Sequence, residues 1–184
     1  MERENERQIF HLILGLVALT LLLVYGRGAM LVAVFTIFIV GTLLINARLL
    51  GKRIWLVQMF EEQFERPEAP FPGWGSVCYV AGVLILLSFM QQVPQIAAGI
   101  FVLAVGDSLS TIVGRKGKIK LPYNKNKSLE GTFTFFIASL PAYFFVGPVA
   151  IVLAMMATIV ESLPLPIDDN ITVPIASVIV LGVM

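Results

Sequence analysis

Apolar residues run in long uninterrupted blocks, and the charges are confined between them. No Asp, Glu, Lys or Arg occurs in Gln8–Gly26, Gly28–Ala47, Ala69–Gly106, Thr132–Val160 or Asn170–Met184. A helix crosses the hydrocarbon core of a bilayer with about 20 predominantly apolar residues. Two of the blocks carry internal breaks, at Gln91-Gln92-Val93-Pro94-Gln95 and at Gly147-Pro148, so each reads as two helices. The pattern predicts an all-α integral membrane protein with about seven short transmembrane helices. They fall near 9–25, 29–49, 75–90, 94–113, 132–146, 149–163 and 170–184. No repeat, low-complexity tract or linker divides the chain, which reads as a single polytopic domain over residues 1–184.

Composition sharpens this. Of 184 residues, 58% are apolar and 14% charged, where a soluble domain carries about 25% charged residues. An odd number of helices fixes which loops share a side. The N-terminus and the loops at 50–74, 114–131 and 164–170 lie on one side, and only Arg27 of the 13 Lys and Arg falls on the other. Positive charge marks the cytoplasmic side, so the N-terminus and the active site are expected to face the cytoplasm. All 12 acids lie on or toward that side too, which topology does not require. The N-terminal Glu2-Arg3-Glu4-Asn5-Glu6-Arg7 is mixed in charge, with no small-residue cleavage site after the apolar run, so a signal peptide is not expected. The single cysteine, Cys78, excludes an internal disulfide. In loop 50–74, Ile54 to Phe60 precede Glu61-Glu62 as an interfacial amphipathic turn, and Arg66-Pro67 with Pro70 to Gly75 form a rigid entry to the third helix.

Three clusters exceed what topology explains. Asp107 sits about two turns inside its helix, and a carboxylate at membrane depth needs a cation, a metal or water. Asp107, Thr111 and Gly114 share a helical face at i, i+4 and i+7, and Gly114 is expected to let a ligand approach the backbone. Six cations follow between Arg115 and Lys127, interleaved with Gly117 and leading into Lys127-Ser128-Leu129-Glu130-Gly131. Lysines, hydroxyls and backbone amides are the groups that recognise polyphosphate, and Ser128 is placed to cap the fifth helix. No Gly-x4-Gly-Lys-Ser/Thr loop occurs. Glu161, Asp168, Asp169 and Asn170 form the third cluster; capping accounts for one acid there, and hard oxygen ligands suit Mg²⁺. His11 is a further candidate on the same side.

The segments Gly106-Asp107-x-x-Ser110-x-x-x-Gly114-Arg115-x-Gly117 and Lys127-Ser128-x-Glu130-Gly131 resemble the CTP-binding signature of the dolichol kinase family, which includes phytol kinase and the CTP-dependent diacylglycerol kinase of yeast. The likeness extends to Glu6-Arg7-x-x-x-His11-x-x-x-Gly15, to Arg66-Pro67 through Gly75, and to Glu161 with Asp168-Asp169-Asn170-x-x-x-Pro174. Ser110 and Ser108 stand where alanine and glycine are usual, and the chain resembles the short archaeal members rather than the longer eukaryotic ones.

The resemblance implies transfer of the γ-phosphate of CTP to a long-chain isoprenoid alcohol such as dolichol or polyprenol. Phytol, geranylgeraniol and diacylglycerol remain as alternative acceptors. The expected machinery is Asp107, Lys127, Asp168 and Asp169 at the reacting centre, and Mg²⁺ on Asp107, Glu161, Asp168 and Asp169. The nucleotide would lie on Gly106, Ser110, Thr111, Gly114, Arg115, Gly117, Lys118, Lys127, Ser128, Glu130 and Gly131. The expected partners are the bilayer, CTP and the lipid alcohol, with no nucleic acid. A lipid cytidylyltransferase and a small ion-coupled transporter are the rival classes.

Overall fold

A computed structural model describes residues 2–64 and 69–183; Arg66-Pro67 of the expected rigid entry and Met184 of the last expected helix lie outside them. Among the described residues every regular element is helical, with no strand. The longest element, α1 (Glu2–Leu49), contains one residue outside helical geometry, Gly26 at φ 75° and ψ 175°. Glycine alone adopts that conformation without cost, and the chain reverses there. Residues 7–14 of the first arm and 36–45 of the second line one cavity, and the short α2 (Trp55–Phe64) touches both arms. Phe64 stacks on Phe10, with ring centroids 4.3 Å apart, while Glu61 pairs with Arg48. The break expected at residues 26–28 is therefore a hairpin between two arms of α1.

After α2 come α3 (Trp74–Phe89) and α4 (Val93–Phe101); the latter runs through a π-helical segment, Val102–Gly106, into α5 (Asp107–Gly114). Then follow α6 (Leu129–Ser139), a 3₁₀ turn, α7 (Tyr143–Val146), α8 (Val149–Ser162) and α9 (Asp169–Gly182). Three spans are long and apolar enough to cross a membrane: Glu4–Leu49, Val93–Gly114 and Leu129–Val146. Shorter apolar helices occupy the other three expected spans. At 1.5 Å per residue, α8 and α9 reach only about 21 Å, less than the ~30 Å of a hydrocarbon core.

Side chains identify the two ends of the bundle. At one end, the Arg27 guanidinium at the α1 turn donates to the carbonyls of Leu87 and Met90, and Gln95 donates to Leu181 O. These contacts join the turn of α1, the end of α3, the start of α4 and the end of α9. The opposite end gathers the start and finish of α1, α2, α5, the loop to α6, the end of α8 and the start of α9. Val93–Gly114 is the axis, two-thirds buried, whereas α1 is largely exposed. The core around this axis is apolar, with Leu86, Ile96, Ile100, Leu103, Phe135 and Leu153 fully buried.

Candidate functional site

Asp107 is positioned by an irregularity in the central helix. The π-helical segment Val102–Gly106 ends immediately before it, and such bulges re-aim the side chains that follow them. Gly106 does not reach the cavity described below; a Cβ there would meet Ser139 Oγ at 2.7 Å, so it serves the packing of this bulge on α6.

The loop between α5 and α6 folds back by hydrogen bonding. Ser128 caps α6, accepting from Gly131 N–H at 3.2 Å, and its hydroxyl donates to Gly114 O at 2.9 Å. The Glu130 carboxylate accepts from Lys118 N–H at 2.7 Å and Ile119 N–H at 3.3 Å. Farther on, Tyr123 and Asn124 tie the loop to Ser162 at the end of α8. Gly114 and Gly131 face each other across α5 and α6. A Cβ on Gly131 would lie 2.7 Å from Gly114 Cα and 2.9 Å from Ser110 O, so these glycines are needed for helix-to-helix approach. Gly114 therefore has a packing role beside its place in the cavity lining described below. Gly117, in the loop, is small because a Cβ there would meet the side chains of Ser128 and Glu130.

These constraints leave a polar cavity of about 270 Å³ between α5, the loop, α6, α8 and α9. Of the expected residues, Asp107, Ser110, Thr111, Gly114, Arg115, Lys127, Ser128, Gly131, Glu161, Asp168, Asp169 and Asn170 line it. Gly106, Gly117, Lys118 and Glu130 do not, and the last two brace the loop instead. Of the six loop cations only Arg115 and Lys127 line the cavity; Lys116, Lys118, Lys120 and Lys125 are exposed. Asn126 and Thr132 also line it and were not singled out by sequence.

Asp107, Glu161 and Asp169 each offer an oxygen within 4.8 Å of the others'. Among them lies Lys127, whose ammonium donates to Glu161 Oε1 and, at 2.8 Å, to Asp169 Oδ2. Burial pulls the Lys127 pKa down, but the carboxylates of Asp169, Glu161 and Asp107 outweigh it and hold the ammonium above the usual lysine range. Asp168 differs from its neighbour: its carboxylate caps α9, accepting from the backbone and side-chain N–H of Asn170 at 3.0 and 2.8 Å. Asp169, not Asp168, joins the carboxylate cluster.

Four carboxylates and two cations line this cavity, a formal charge of −2 with all groups ionised. That charge opposes a polyphosphate, and a divalent cation would offset it. The donors fit one: three carboxylates converge, and Glu161 Oε2 is buried without a hydrogen-bond partner among the described residues.

At Asp107 and Asn170 the polar cavity meets a second, apolar one of about 500 Å³, which lies between the arms of α1, α2 and α3. His11 lines this second cavity rather than the first, with its ring edge-on to Tyr79 at 4.2 Å.

No protein-family model and no solved structure matches the chain. It is similar to a probable phytol kinase 1 of Oryza sativa (35% identity over 57% of this chain) and to phytol kinase 1 of Arabidopsis thaliana (34% over 57%). The chain spans 40% and 41% of the length of these plant relatives. An uncharacterized protein of Methanocaldococcus jannaschii is 33% identical over 94% of this chain and 89% of its own length. With identity sustained from end to end, the chain belongs to the same family as that M. jannaschii protein.

Proposed function

We propose that this protein is a multi-pass membrane kinase that transfers the γ-phosphate of CTP to a long-chain isoprenoid alcohol, of the polyprenol, dolichol or phytol class. The observation that carries the reading is the junction of two unlike cavities at one carboxylate. The polar cavity has convergent acids and a buried lysine, and the apolar one begins at the same Asp107. A water-soluble phosphate donor and a lipid acceptor need that arrangement. The similarity to plant phytol kinases supports the acceptor class, and the resemblance of the Gly106–Gly117 and Lys127–Gly131 segments to a CTP-binding signature supports CTP.

The membrane reading rests on the apolar spans and on the exposed apolar side chains of α1, among them Val24, Val32, Phe35 and Leu43. The cavity end carries the cations of the loop and of Arg48, whereas Arg27 marks the other end, so the cavity faces the cytoplasm.

In transfer, the alcohol oxygen attacks the γ-phosphorus, the bond from that phosphorus to the bridging oxygen breaks, and CDP leaves. Asp107, at the junction, accepts the alcohol proton. Lys127 and Arg115 neutralise charge on the transferred group. Asp107, Glu161 and Asp169 would hold Mg²⁺, which supplies charge neutralisation across the phosphate oxygens. Asp168 and Ser128 act through structure, fixing the starts of α9 and α6.

The test is purified protein in vesicles with γ-labelled CTP, Mg²⁺ and a panel of lipid alcohols. Label is expected on the alcohol, with CDP released and no transfer after chelation. Preference for ATP overturns the donor, pyrophosphate release identifies a cytidylyltransferase, and no transfer to any alcohol overturns the kinase reading.

A further inference from the structure

Asn124 is a buried carboxamide in a loop that is otherwise largely exposed. Lys116, Lys118, Lys120 and Lys125 around it reach into solvent, whereas Asn124 is 8% exposed. Its side chain is bonded at both ends. Nδ2 donates to Ser162 O at 3.0 Å, and Oδ1 accepts from Asn126 N–H at 3.2 Å. The second bond is the local turn that asparagine makes with the amide two residues on. The main chain of Asn124 is bonded as well. Its N–H donates to Leu121 O at 3.3 Å, and its carbonyl accepts from Lys127 N–H at 3.1 Å. Leu121 N–H in turn donates to Lys127 O at 3.2 Å. Residues 121–127 thus close on themselves, and Lys127 is the closing residue.

Ser162 is the last residue of α8 and follows Glu161, which accepts from the Lys127 ammonium. Asn124 therefore holds the main chain of Lys127 through one bond and the main chain beside Glu161 through another. A lysine side chain has much rotamer freedom, so where its ammonium rests depends on its backbone being held. We propose that Asn124 is a positioning residue for phosphoryl transfer, which sets the Lys127 ammonium against Glu161 and Asp169 by pinning the loop to the end of α8. The part of Lys127 in transfer rests on the kinase reading; the pinning rests on the hydrogen bonds alone. Asparagine suits the task because it donates to a carbonyl and accepts from an amide at once. Aspartate keeps the shape and the acceptor, has no donor, and sets a carboxylate against Ser162 O. Tyr123 also reaches Ser162, its hydroxyl donating to Ser162 Oγ at 3.0 Å. That contact joins two hydroxyls at the solvent edge, with Tyr123 54% exposed, and serves as the comparison.

The experiment takes two readouts from the full chain in vesicles. The first uses no nucleotide: lysines are acetylated with an N-hydroxysuccinimide ester, and the rate at each is followed by mass spectrometry. Lys127, paired with two carboxylates, is expected to react about tenfold or more slowly than the exposed Lys120 and Lys125. Asn124→Ala and Asn124→Asp bring Lys127 up toward the Lys125 rate, and Tyr123→Phe leaves it slow. The second readout is steady-state transfer. Asn124→Asp lowers kcat by about tenfold to a hundredfold, the scale of a small misplacement, and leaves KM for the lipid alcohol unmoved. In a Lys127→Ala background the same change lowers kcat no further, because nothing remains to be positioned. Asn124→Asp, which keeps the bond from Asn126, carries the test if Asn124→Ala fails to fold. The proposal is overturned if Lys127 stays slow in the Asn124 variants, or if the kcat losses of Asn124→Asp and Lys127→Ala multiply. It is also overturned if Tyr123→Phe matches Asn124→Asp in both readouts. The expected acetylation pattern without transfer from any nucleotide rejects the kinase reading alone; transfer with Lys127 slow in every variant rejects the positioning role alone.

Discussion

The polar cavity and the apolar one share Asp107 and Asn170 and are otherwise built in opposite ways. Around the polar cavity, backbone presses on backbone. Gly131 meets Gly114 and Ser110, Ser128 is bonded on both sides, and Lys127 is locked between Glu161 and Asp169. Around the apolar cavity, two arms of one hairpin stand apart with side-chain contacts and open space at Gly41 and Gly75. Charge development in a transition state rewards donors and cations that are already in place. A hydrocarbon tail gains free energy by burial of area alone, without directional contacts. The contrast fits the proposed chemistry, which asks for a rigid site for phosphate and a compliant one for the acceptor.

The largest expected effect tests whether the polar side carries the chemistry. Asp107→Asn keeps size and loses the charge, so transfer falls by about 10²–10⁴ if the carboxylate takes the proton; residual transfer near wild type removes Asp107 from that role. Lys127→Ala follows. Transfer falls by about 10²–10³, the scale of losing one charge-stabilising donor, while binding of a lipid alcohol to the protein persists. Loss of both together means the two regions are not separable. Next come two glycines, one from each region. Gly131→Ala forces a methyl onto backbone and costs about 1–3 kcal/mol, read as a lower melting temperature in detergent. Gly41→Ala meets nothing and gains up to about 1 kcal/mol from helix propensity, so opposite signs are expected in the same assay. Equal signs undo the contrast between tight and open packing. The smallest effect is at Lys120, an exposed loop cation outside the cavity; Lys120→Ala leaves transfer within experimental error, whereas Lys127→Ala does not.

Much of the polar site was readable along the chain, because its members are out of place there. Asp107 interrupts an apolar helix, Glu161 and Asp169 flank a short turn, and Lys127 precedes a helix cap. Where residues of one type serve different ends, the pattern misled. Asp168 and Asp169 are adjacent and alike in sequence, yet one caps α9 and the other joins Glu161. Lys118, next to the first segment of the signature, and Glu130, inside the second, bond to each other and hold the loop without lining the cavity. Gly114 read as a place for a ligand to approach, and its packing against Gly131 became visible only in the fold. Asn124 gave no signal, since an asparagine among loop lysines is ordinary until its bonds to Ser162 and Asn126 are seen.

By itself the sequence determined where the apolar helices run, where Gly26 breaks the first of them, and which loops collect the charge. These are properties of single segments, set by local hydrophobicity, length and the conformations open to each residue. Only the tertiary structure decided which carboxylates converge, which lysine lies between them and which asparagine ties that lysine's loop to α8. Asp107 and Asp169 belong to different helices, and their separation depends on how α5, α8 and α9 pack rather than on any property of the intervening chain. The apolar cavity depends on it wholly, because it is the space that α1, α2 and α3 leave unfilled when they pack.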